Sequence, residues 1–147
     1  MPTNTEDIAR NERVFLCLFL AWLIALVSSL AVLFIGEVLG QAPCDLCWYQ
    51  RVFMFPLPVI LGIAVWRSDW KIWCYGAPLA TTGLLIAIYH TLLYAGFIPA
   101  PIVPCTVSGP SCTGESMLIF GLPIPGLAVV AFSMILVLLL ALRKANK

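Results

Sequence analysis

Charge is what this chain has least of. Only 10% of its 147 residues are Asp, Glu, Lys or Arg, while 62% are hydrophobic. A soluble domain carries about 25% charged residues, so an ordinary soluble domain is excluded. The mean hydropathy of +1.03 fits an integral membrane protein in one compact unit, without room for a second domain. Excess charge of one sign is also lacking. The net charge is +1 and no basic run occurs, which argues against nucleic-acid binding. Internal repeats and low-complexity segments are absent as well. Histidine occurs once, at His90.

What is present is a set of long apolar runs. Val14 to Ile35 passes 22 residues without a charge. At about 1.5 Å per residue that is about 33 Å, enough to cross the hydrocarbon core. The run is too long, and its N-terminal flank with Glu6, Asp7 and Glu12 too acidic, for a cleaved signal peptide. Further spans are expected at about 47–65, 74–96 and 124–142. Pro56 and Pro58 lie inside the second, where each should kink the helix. Pro78 falls in the first turn of the third. The fold expected is therefore an all-α bundle of four transmembrane helices, with outer loops at about 36–46 and 97–123.

The basic residues orient the bundle. Arg10 and Arg13 precede the first span, Arg67 and Lys71 separate the second from the third, and Arg143, Lys144 and Lys147 follow the fourth. With an even number of spans these seven of the eight Lys and Arg residues share one side, the cytoplasm. Both termini are then cytoplasmic. Trp66, Trp70 and Trp73 suit the inner interface, and Trp48 and Tyr49 the outer one.

This topology sorts the six cysteines. Cys44 and Cys47 form a C-x-x-C pair at the outer end of the second span, and Cys105 and Cys112 lie in the outer loop. Cys17 and Cys74 fall near the inner ends of their spans, where cysteine behaves as a small apolar residue. A C-x-x-C pair can close a disulfide, bind a metal or exchange electrons. A helix N-terminus eases ionisation of a thiol, and Arg51, four residues after Cys47, adds positive charge on the same face. Arg51 is the one basic residue on the outer half, which favours a functional role over a snorkelling one. His90, near the same depth, can donate a hydrogen bond or pass a proton. The loop pair is open to two readings, a structural disulfide or a mobile dithiol. A zinc site built from all four outer cysteines would call for two C-x-x-C pairs. Only one pair has that spacing, so no metal is expected. The rival to a redox enzyme is a non-enzymatic membrane module with a structural disulfide or metal clip.

The stretch Cys44-Asp45-Leu46-Cys47-Trp48-Tyr49-Gln50-Arg51 resembles the signature of the DsbB family of bacterial thiol oxidases, in its BdbC-like branch. The likeness extends to Tyr89-His90-Thr91, to the loop cysteines and to Phe120-Gly121-Leu122-Pro123-Ile124-Pro125. It implies a protein of the bacterial cytoplasmic membrane that reoxidises a thioredoxin-fold oxidase of DsbA or BdbD type and passes the electrons to ubiquinone or menaquinone. A relay of this kind is known to keep the bacterial periplasm oxidising. By the same likeness Cys105 would form the mixed disulfide with the partner, Cys112 would exchange with Cys44, and Cys47 would face the quinone. Arg51 and His90 would polarise its carbonyl oxygens. In the enterobacterial enzyme a long loop with an interfacial helix separates the second pair; here six residues separate Cys105 from Cys112. The vitamin K epoxide reductase family also has four core spans and two cysteine pairs, but its C-x-x-C follows the loop pair rather than preceding it.

Overall fold

The apolar runs form helices because the bilayer leaves backbone polar groups no other partner. The computed structural model describes residues 5–99, 118–119 and 122–145. Helix α1 spans Thr5–Leu33 and ends in a π-helical turn, Phe34–Val38. Helices α2 (Asp45–Met54) and α3 (Pro56–Arg67) together make the second crossing. A 3-10 turn at Trp70–Ile72 leads into α4 (Trp73–Tyr94), and α5 covers Ile124–Ala145. A two-residue strand pair, β1 (Leu118–Ile119) and β2 (Leu122–Pro123), precedes α5, with Leu118 opposite Pro123 and Ile119 opposite Leu122. Among the described residues four helical runs are long and apolar enough to cross a membrane, so the protein is a multi-pass membrane bundle.

Helix ends and apolar runs do not coincide. α1 starts at Thr5, well before Val14, because its first turns need no lipid and carry Arg10 paired to Asp7 at 3.2 Å. The second crossing is interrupted once, at Phe55, rather than at each proline. Pro56 opens α3 and Pro58 follows within its first turn, where a missing N–H costs nothing. Across the break the Phe55 N–H still donates to the Arg51 carbonyl at 2.9 Å. Pro78 lies inside α4, beyond its first turn.

Packing relies on small residues. Gly76, Ala80, Gly83 and Ala87 follow one another at helical spacing on α4 and are all buried. They let α5 approach closely, as membrane helices often do. Phe132 lies over Gly83 and Leu139 over Gly76. Leu18, Ala21 and Ala25 of α1 and Leu57, Leu61 and Ala64 of α3 complete the core. Val27, Leu30, Val59, Ile63, Leu85 and Val137 are exposed, as lipid-facing side chains should be. At the basic end the Arg143 guanidinium lies 5.0 Å from the Trp73 ring centroid, tying the end of α5 to the start of α4. At the other end α2 packs against α4, which brings Cys44 and His90 together.

Candidate active site

The dithiol opens α2. Cys44 precedes the first helical residue with extended backbone, and its sulfur accepts the Cys47 N–H at 3.4 Å. A sulfur here serves as Ser or Asp oxygens usually do at helix starts. Cys47 sits in the first turn of the helix, so the pair straddles loop and helix. The Cys44 S–H donates to the Cys47 sulfur across 3.2 Å. Cys44 is only 2% exposed, packed with Leu93, with Tyr94 at the end of α4 and with Ile98 just beyond it. Cys47 is half-buried.

The expected easing of ionisation at the helix N-terminus is not met at Cys44. Its hydrogen bond to Cys47 and then its burial push the thiol up to about 12. The His90 ring and the Cys47 backbone N–H pull the other way and are outweighed.

His90 is fully buried. Its Nε2 lies 3.8 Å from Cys44 Sγ, and the Gln50 amide nitrogen lies 3.2 Å from its Nδ1. An amide nitrogen only donates, so Nδ1 accepts and the neutral ring carries its proton on Nε2, facing the sulfur. Gln50 is itself buried, at 6% exposure. Spacing alone does not single it out. The signal available is a polar residue one helical turn beyond Leu46 on a face that also holds apolar side chains, which requires a polar partner when buried.

Arg51 points away from His90. Its Nη2 donates to the Val32 carbonyl at 3.1 Å, and its Cζ lies 5.5 Å from the Trp48 ring centroid. The π-helical turn passes close by. A Cβ on Gly36 would stand 3.2 Å from Nη2, so a larger residue there would shift the guanidinium by a few tenths of an ångström.

Between α1, α2 and α5 lies a cavity of about 410 Å3. Ala31, Val32, Ile35, Leu127, Ala128 and Phe132 give it apolar walls, and Cys47, Gln50, Arg51 and Gln41 bring polar atoms to it. The side-chain carbonyl oxygen of Gln41 is buried without a hydrogen-bond partner. Cys47 and Arg51 thus share one wall, as their spacing suggests. His90 does not line this cavity. Gln50 does, and stands between the cavity and the His90 ring. Cys105 and Cys112 lie outside the described residues.

The family profile "Disulfide bond formation protein DsbB" matches residues 11–142. A probable disulfide formation protein of Metapseudomonas resinovorans is 59% identical over 128 residues, 86% of this chain and 89% of the relative. Disulfide bond formation protein C of Bacillus subtilis is 40% identical over 137 residues, 91% of this chain and 96% of the relative. A probable disulfide formation protein of Deinococcus radiodurans is 42% identical, covering 83% of this chain and 85% of the relative. No solved structure matches. A profile match over nearly the whole chain and relatives of similar length place this four-span protein in the DsbB family of disulfide bond formation proteins.

Proposed function

We propose that the protein is a thiol oxidase that takes two electrons from a thioredoxin-fold partner of DsbA or BdbD type and delivers them to a membrane quinone, ubiquinone or menaquinone. The reading rests on one observation above others: Cys47 of the dithiol and Arg51 share the wall of an apolar cavity within the membrane-spanning helices. Its volume lies in the range of about 300–1,000 Å3 usual for small-molecule sites. The walls suit a flat apolar ring. Arg51 keeps donors beyond the one given to Val32, and the unpartnered Gln41 oxygen can accept a hydroxyl proton. A quinone bound there would supply the acceptor for two electrons and two protons.

The acceptor has an energetic reason. A DsbA-type oxidase has a reduction potential near about −120 mV, so an ordinary dithiol couple does not reoxidise it downhill. In the scheme we favour, the loop pair Cys105–Cys112 starts as a disulfide. The partner's thiolate attacks Cys105 and releases Cys112. The partner's second thiol then resolves the mixed disulfide, leaving the partner oxidised and the loop pair reduced. Cys112 attacks Cys44 of an oxidised Cys44–Cys47 pair and releases the Cys47 sulfur toward the cavity. Cys105 then attacks Cys112, which restores the loop disulfide and frees Cys44. His90 takes a different role from the one its depth suggests. Its Nε2–H, held by Gln50, faces Cys44 and so serves the sulfur rather than the cavity ligand. Because Cys44 is covered by the outer end of α4, the attacking sulfur must displace part of that cover.

The test is turnover in lipid with a reduced thioredoxin-fold oxidase and a soluble quinone, following quinone absorbance. One quinone should be reduced per partner disulfide formed, and Cys47→Ser should abolish it. Partner oxidation that proceeds without quinone loss, or with Cys47→Ser intact, would sink the reading.

A further inference from the structure

We infer that Cys44, Cys47 and His90 form, when the pair is reduced, a binding site for a thiophilic divalent cation such as zinc or cadmium. Their three donor atoms lie within 4.8 Å of one another. This set differs from a four-cysteine clip, because it needs neither loop thiol and draws its third ligand from α4.

The distances are near those a metal requires. With Zn–S of about 2.3 Å and Zn–N of about 2.0–2.1 Å, tetrahedral geometry puts two sulfurs about 3.8 Å apart and a sulfur about 3.6 Å from nitrogen. Here the sulfurs are 3.2 Å apart, and Cys44 Sγ is 3.8 Å from Nε2. Shifts of about half an ångström at these two contacts suffice, within the reach of side-chain rotation. Two thiolates and a neutral imidazole around a divalent cation carry no net charge, which a site with a buried sulfur and a fully buried imidazole requires. Binding releases the two thiol protons and changes no oxidation state.

The surroundings favour it as well. A ligating histidine normally hydrogen-bonds through its other ring nitrogen. Gln50 already holds Nδ1, and turning its amide over offers an oxygen to an Nδ1–H. Cys47 borders the cavity, which gives access and room for a fourth, exchangeable ligand. On the proposed function, and resting on it, such a cation would hold both sulfurs and stop electron transfer. The protein would then be metal-sensitive only while reduced, when its electron acceptor is scarce.

The experiment uses the full chain in lipid nanodiscs carrying Cys17→Ala, Cys74→Ala, Cys105→Ser and Cys112→Ser, so that Cys44 and Cys47 are its only thiols. Zinc is added to the reduced and to the oxidised protein. X-ray absorption at the zinc edge should show two sulfurs at about 2.3 Å and a nitrogen at about 2.0 Å, and only after reduction. Competition with a chromophoric chelator should give at least a tenfold weaker zinc affinity for His90→Ala. The scattering needs no change at the three ligands, so it stands even if that variant fails to fold. A shell without the histidine nitrogen, or equal binding before and after reduction, would overturn the site. A zinc site of this kind in the otherwise wild-type chain that leaves partner oxidation untouched would instead support the site and count against the functional reading.

Discussion

Arg51 spends one donor on the Val32 carbonyl and turns its guanidinium face to Trp48, with the cavity beside it. A lysine could reach the interface but could not reproduce the fork. Arg51→Lys should therefore weaken cavity binding, raising the apparent quinone KM while single-turnover exchange with the partner stays fast. A hydrogen bond to a charged group contributes about 1.5–3 kcal/mol, or roughly ten- to more than hundredfold in affinity. If the exchange step slows instead, Arg51 serves the thiols and not the ligand. Cys44 makes a separate prediction. Its largest upward influence is the Cys47 hydrogen bond, so in the reduced protein its alkylation should rise only as pH approaches about 12. Cys47→Ala removes that bond and leaves the His90 interaction, which favours the thiolate, so the midpoint of the alkylation profile should move down. An unmoved midpoint would mean that burial alone holds the proton.

At the level of the elements, α4 and α5 carry both stability and cavity shape. A Cβ on Gly83 would land on the Phe132 ring, and Phe132 also lines the cavity. Overpacking of this kind costs about 1–3 kcal/mol. Gly83→Ala should lower the melting temperature in detergent and weaken quinone binding together, and Phe132→Leu in the same chain should restore stability. Loss of stability with cavity binding unchanged would separate the two roles. The crossings themselves are legible in the sequence, because a charge-free run measures bilayer thickness directly. Helix ends are not legible to the same degree. Thr5–Arg13 is helical without being apolar, and the break before Pro56 depends on where a new first turn starts. The π-helical turn at Phe34–Val38 has no pattern of its own in the sequence.

Across the whole molecule one end is basic and the other holds the dithiol. That Cys47 and Arg51 line the same cavity follows from a four-residue spacing within α2, which the sequence carries. The Gln50–His90–Cys44 chain joins α2 to α4 across 40 residues or more, and only tertiary packing decides which buried polar groups meet. The same separation of ends decides which thiols can matter. Cys74 lies 16 residues before His90 along α4, about 24 Å at about 1.5 Å per residue. No thiol exchange spans that distance, and Cys17 is packed into the core of α1. The Cys17→Ala, Cys74→Ala double variant should therefore oxidise the partner at the wild-type rate. Sidedness completes the argument. By the positive-inside rule the Arg67–Lys71 turn and the end of α5 are expected in the cytoplasm, and the contact of Arg143 with Trp73 joins those two regions. A reporter fused after Ala145 should thus read cytoplasmic, and one inserted between Ile98 and β1 should read external. Should both report one side, the dithiol would lose its oxidising compartment. A cytoplasmic dithiol would sit in a reducing pool and have no partner disulfide to make, whatever the cavity binds.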